Sequence, residues 1–255
     1  MSETEQTKGG QPIYRHEEVE RDWQAPQFEE AVRVGFEEHL NRFFGSDEIT
    51  VWHEIVSDLV HIDVYMVRSS AERPFYTLIT SGMSDLPMTL PEGMDAEARA
   101  ELERAELVMC LPPDWPLSQE AFEDAANYWP IGLLKMLARL PHEYSTWLGV
   151  GHSVPNGQSG QAFPGTQFTG VVLGPPVDLP EDFWTFQVNL QGVQTTVRFY
   201  GLFPLYTEEM DYKINTPEGA WALFKKFEPF GVRLIVDVNR PNVITAPPPA
   251  RLSEA

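Results

Sequence analysis

The chain is poor in cysteine, in basic residues and in long apolar runs, and each shortage excludes something. One cysteine, Cys110, stands among 255 residues, so no internal disulfide can form. Its place in the apolar run LVMC (107–110) reads as a small buried hydrophobe rather than a reactive thiol. No apolar run approaches the roughly 18 residues that a membrane-spanning helix needs. The start, MSETEQTKGG, lacks the basic head and apolar stretch of an export signal, so the expected location is cytoplasmic. Lys and Arg number 18 against 38 Asp and Glu, a formal net charge of −20. Phosphates would be repelled over the whole approach, which excludes nucleic acid and disfavours anionic membrane. The same charge steers a basic protein partner towards the surface, or serves only solubility.

Complete catalytic signatures are missing too. His142-Glu143-Tyr144-Ser145-Thr146 begins like a zinc-protease helix, but Thr146 stands where the second histidine belongs and Pro141 precedes it. His142 and His152, with Asp114 or Asp85, have no spacing that demands a ligand set. His61 and Asp63 share one strand face, which reads as a polar sheet face as readily as a weak ligand pair. Ser81, Ser84 and Ser153 have no nucleophile elbow around them. GVGH (149–152) lacks the third glycine of a dinucleotide fingerprint and the Lys-Ser/Thr of a phosphate loop. Glu208 and Glu209 are simply neighbours in an acidic chain. The expectation is no catalytic residue, no metal and no cofactor, with an uncharacterised hydrolase as the last alternative.

What the chain does contain is a mixture of strands and helices without regular alternation. Phe28, Val32, Phe36, Leu40, Phe43 and Phe44 recur at helical spacing and end at Gly45. Residues 51–56, 60–67 and 75–80 alternate apolar with polar and predict a meander of strands. A charged helix over 95–106 precedes the strand ELVMCL, and a second helix starts after Ser118. Pro130 is expected to break that helix, and the spacing of Leu134, Leu137 and Leu140 resumes it until Pro141. Further strands are predicted at 147–150, 168–173, 183–190 and 193–202, with Gln191-Gly192 as a tight turn. A helix from Thr216 and a strand over 232–238 close the domain. No internal repeat appears. The pattern predicts an α+β fold, one domain over 25–240 between flexible ends at 1–24 and 241–255, the latter rich in proline.

Four segments dense in Gly, Pro, His and Trp sit at the ends of these elements: TSGMSDLPM (80–88), ELVMCLPPDWPL (106–117), LLKMLARLPHEYSTWLGVGHSVPN (133–156) and RFYGLFPLYTEEM (198–210). Together they resemble the Suppressor-of-fused family, over about His61 to Val238. The resemblance implies a mixed, mainly antiparallel curved sheet with flanking helices, and a protein-binding domain rather than an enzyme. In the animal relative, a short transcription-factor peptide is gripped between this domain and a second one, partly by adding a strand. No second domain of that kind is recognisable here.

Residue chemistry gives these segments local roles. Gly82 permits backbone angles denied to other residues, Ser84 and Asp85 fix a turn, and the prolines before Asp114 and Trp115 stop strand pairing. Tyr144 and Trp147 are expected near His152 and the loop VPNGQSGQAFPG (154–165), giving apolar area with hydrogen-bonding tips. The partner-binding candidates are Asp85, Asp114, Trp115, Tyr144, Trp147, His152, Asn156 and Tyr206. The leading expectation is an immunity protein that neutralises a basic toxin by stoichiometric binding. The alternative is a cytoplasmic regulatory scaffold holding an extended peptide.

Overall fold

The structure, a computed structural model, describes residues 5–16, 22–45, 48–158 and 160–249. The alternating segments of the first third become β1 (Ile49–Trp52), β2 (Asp63–Val67) and β3 (Tyr76–Ser81). They pair antiparallel in sequence order, with Val51 opposite Tyr65 and Tyr65 opposite Ile79. β4 (Arg104–Leu111) joins β3, and all eight of its residues are buried. The long strand β8 (Val193–Leu205) then lies parallel to β4, while β6 (Gly170–Gly174) and β7 (Thr185–Leu190) pair with it antiparallel. β5 (Ser153–Pro155) pairs only with β6, so the open sheet runs β1-β2-β3-β4-β8-β6-β5, with β7 beside β8.

Because strand side chains alternate between faces, the sheet has two cores. On one face Leu78, Leu107 and Met109 meet Ile131, Leu134 and Leu137 of α3 (Ala125–Glu143). On the other, Ile79, Val108 and Cys110 meet Val32, Phe36 and Leu40 of α1 (Glu30–Phe44), with Leu223 and Phe227 of α5 (Ala220–Phe227). Each such side chain contributes about 1.5–3 kcal/mol by leaving water. α2 (Ala96–Leu102) is a short connector, N-capped by Asp95, whose carboxylate accepts the N–H of Ala98. The α+β class and the mixed, mainly antiparallel sheet agree with the sequence reading.

Four local expectations are corrected. α3 does not break at Pro130 and carries Pro141 as well. Each proline forfeits one i→i−4 bond, and burial of Trp129, Ile131, Leu133, Leu134 and Leu137 against the sheet outweighs that loss. Residues 147–150 form no strand: the N–H of Leu148 goes to the Met88 sulfur, and bonding to β6 starts at Gly151, whose N–H donates to Leu173 O where the chain turns at φ +87°. Residues 232–238 form a single bridge, Ile235 with Cys110, because Asp178 takes the N–H of Leu234 that a ladder would use. Finally, residues 207–227 make two helices, α4 (Thr207–Asn215) and α5, rather than one from Thr216.

The expectation of flexible ends falls partly outside the described residues. Within them, residues 5–16 form an arm whose Gly9 N–H donates to Ile214 O, and the Gln11 amide donates to Pro217 O. At the other end Val243 is buried and its N–H donates to Glu209.

Candidate protein-binding site

The sheet ends at β5, and its outer side has no partner strand among the described residues. His152 O accepts from Leu173 N and Asn156 N donates to Thr169 O, while Val154 stands opposite Val171. Even-numbered residues therefore bond inward to β6, and strand alternation turns the backbone groups of Ser153 and Pro155 outward. Pro155 has no N–H, so the free edge offers the N–H and C=O of Ser153 and the C=O of Pro155.

Two predicted residues meet here. The Trp147 and His152 rings meet edge to face at 4.4 Å between centroids. Tyr144 caps the C-terminus of α3, its N–H donating to Leu140 O, and Ser145 after it takes φ +48°. Tyr14 and His16 of the N-terminal arm lie against this group, Tyr14 at 6.0 Å from His152 and His16 at 5.5 Å from Tyr144. Trp147 Nε1 is buried and has no hydrogen-bond partner among the described residues. Asn156 closes the following loop, its amide donating to Gln161 O.

Electrostatics keep the patch uncharged at His152. Burial, and then the Lys213 ammonium, push its pKa down to about 4, so the ring is neutral near pH 7. Lys213 is itself buried at the end of α4, and its ammonium donates to Ser153 Oγ at 3.1 Å. No carboxylate lies within ion-pair distance of it among the described residues, and burial lowers its pKa too. The C-terminal dipole of α4 favours a cation at this position.

The other candidates do other work. Asp85 and Tyr206 are corrections, since both are buried. Asp85 accepts from the guanidinium of Arg33, with Nη2 at 3.0 Å, and from the N–H of Glu29 ahead of α1. The Tyr206 hydroxyl donates to Arg240 O at 2.6 Å. Trp115 packs on α3, donating from Nε1 to Asn127 O and meeting Trp129 edge to face. Asp114 is exposed in the turn after β4.

The segment TSGMSD wraps a group that motif reading missed, the wholly buried carboxylate of Glu106. It accepts from Thr80 Oγ1 at 2.6 Å, Ser84 Oγ at 2.5 Å and the N–H groups of Gly82 and Ser84. Gly82 is required at φ +114°, because a Cβ there would meet His61 O at 1.9 Å. A carboxylate inside the apolar run ELVMCL was the available signal. A separate concavity of about 260 Å³, lined by Pro175, Pro176, Trp184, Arg198 and Tyr200 among others, shares no residue with the predicted patch. No helix of the described residues is long and apolar enough to cross a membrane.

The sheet is open and mixed, with helices on both faces, and among the described residues its β5 edge has no partner strand beside the Trp147 and His152 rings. The family model for the Suppressor of fused protein matches residues 58–241, and the chain belongs to that family. The fold resembles a Suppressor of fused homologue from Neisseria gonorrhoeae (TM-score 0.57, 17% identity, covering 86% of this chain and 99% of that one). It also resembles a chain of the Sufu–Fu complex (0.54, 14%, 84% and 92%) and Drosophila Suppressor of Fused (0.52, 14%, 84% and 51%). At these identities the likeness is one of fold. No curated protein sequence matches. Family membership places the chain among non-catalytic protein-binding domains.

Proposed function

We propose that this protein is a regulatory scaffold that holds an extended segment of a partner along the free edge of β5. The observation that carries this reading is the coincidence of that edge with the paired rings of Trp147 and His152. Backbone bonds to Ser153 and Pro155 would supply affinity without sequence preference, and the rings would select side chains. That a solved relative is a Sufu–Fu complex supports protein capture as the general mode. The net charge of −20 favours a basic partner by speeding encounter. Among the site's features only that charge favours toxin neutralisation, so peptide capture is the better supported reading.

The test is to recover the partner by co-purification from the host at moderate salt, then to shorten it. Binding that survives reduction to a peptide of about ten residues, with amide-exchange protection at 153–155, is the expected result. A requirement for a folded partner domain, or protection confined to another face, overturns this reading, and the former would restore neutralisation.

A further inference from the structure

At the opposite end of the sheet from β5, the antiparallel pairing of Trp52 with Val64 carries His53 to the side of Asp63, with His61 two residues before it. His53 Nδ1 stands 3.0 Å from Asp63 Oδ2, and His61 Nε2 stands 2.9 Å from Asp63 Oδ1. The three ligand-capable atoms lie within 4.8 Å of one another.

The tautomer of His61 follows from its neighbours. Ser57 Oγ lies 2.8 Å from Glu54 Oε2 and 2.7 Å from His61 Nδ1. A hydroxyl has one hydrogen and a carboxylate has none to give, so Ser57 donates to Glu54 and accepts from His61 Nδ1–H. In the neutral ring, Nε2 then presents a lone pair to the carboxylate oxygen of Asp63. Two lone pairs at 2.9 Å repel unless a positive charge sits between them, either a proton or a metal ion.

We propose that His53 Nδ1, His61 Nε2 and an oxygen of Asp63 bind a divalent transition-metal ion of the zinc class. Ligand atoms on a tetrahedral zinc stand about 3.3 Å apart, so each N···O separation opens by a few tenths of an ångström while the two imidazole nitrogens, within 4.8 Å of each other, settle to that spacing. Two imidazoles with one carboxylate select such an ion over magnesium or calcium. The outer shell is built: Asp63 Oδ1 accepts from Glu54 N at 2.9 Å, and Ser57 orients His61 through Nδ1. Glu54 also accepts from Ile62 N and pairs with Arg139 of α3, which offsets that guanidinium. Lys135 of α3 is the other cation in electrostatic reach of Glu54 and Asp63. The Phe28 ring covers His61 from one side, while the His53 side chain is 72% exposed and leaves the fourth position open to water.

Titration of the full chain, freed of metal, with zinc chloride at pH 7.5 tests this, with cobalt(II) absorption as the spectroscopic readout. The expected result is one saturable ion per chain, with the visible bands of a four-coordinate nitrogen and oxygen site. His53→Ala removes an exposed ligand without disturbing the core and should weaken binding at least tenfold; Ser57→Ala should weaken it less, through loss of orientation. The absence of stoichiometric binding overturns the proposal. So does equal binding by wild type and His53→Ala, which would assign the ion to the acidic surface.

Discussion

Arg240 and Glu209 form a two-pronged ion pair, Nη1 to Oε1 at 2.6 Å and Nη2 to Oε2 at 2.5 Å, with both side chains buried. The guanidinium also lies over the rings of Phe168, Tyr206 and Phe227, so one residue ties the C-terminal segment to α4 and α5. Arg240→Ala leaves Glu209 charged and unpaired in the interior. The expected loss is about 3–5 kcal/mol in urea unfolding, with part of it recovered when Glu209→Gln is added.

Glu106 makes stability depend on pH with an unusual sign. Burial pushes its carboxyl up from 4.5 to about 7, against the pull of hydrogen bonds from Ser84 and Thr80. Within that window the folded protein holds a proton that the unfolded chain releases. Its contribution therefore falls by about 3 kcal/mol as pH rises from 4.5 to 7. Glu106→Gln removes this dependence, so the variant should gain on the wild type in urea midpoint as pH increases through the window. Parallel profiles would refute the assignment.

His152 behaves in the opposite way. Its pKa is lowered to about 4, so the unfolded chain binds the proton first and this contribution is lost as pH falls from 6.5 towards 4. A ring-proton titration by NMR should show the neutral imidazole persisting to about pH 4. Lys213→Met should raise the midpoint by removing the neighbouring ammonium.

Tyr14 and His16 of the N-terminal arm lie beside His152 and Tyr144, so a ligand of the aromatic patch would have to displace them. Tyr14→Ala should tighten capture of the partner peptide several-fold, and Tyr144→Ala should weaken it about tenfold or more, the scale of a modest hot spot. Both variants should unfold like the wild type. Unchanged affinity in both would remove the patch from the binding surface.

Gly82→Ala probes the loop around Glu106. The added Cβ meets His61 O at 1.9 Å from a backbone at φ +114°, so the loop must move and loosen its hold on the carboxylate. A loss of at least about 2 kcal/mol in thermal or urea unfolding is expected, against about 1 kcal/mol at Gly93, where φ is also positive at +89° but the space around a Cβ is open.

Helix α1, its stop at Gly45, the β1–β3 meander and the Gln191-Gly192 turn were legible because each is specified by local periodicity and turn chemistry. The segments around Gly82, Pro112 and Gly151 were legible as special, and their density carried the family resemblance. Pro130 misled because helix propensity is local, whereas α3 is held by apolar residues packed on a distant sheet. The strand expected at 232–238 failed for a similar reason, since strand-like composition forms a ladder only where a neighbour has free bonding groups.

The candidate site divides along the same line. Trp147 and His152 are close in sequence and their rings meet, although the strand expected over 147–150 is absent. Asp85 and Tyr206 were drawn to the surface by their polar groups, yet Arg33 and Arg240, remote in sequence, satisfy them inside. The sequence alone determined the element types, the acidic charge and the family pattern, because these depend on neighbours along the chain. Only the tertiary structure decided which edge stays open, which carboxylates are buried and which histidines meet, because those depend on contacts between residues tens of positions apart.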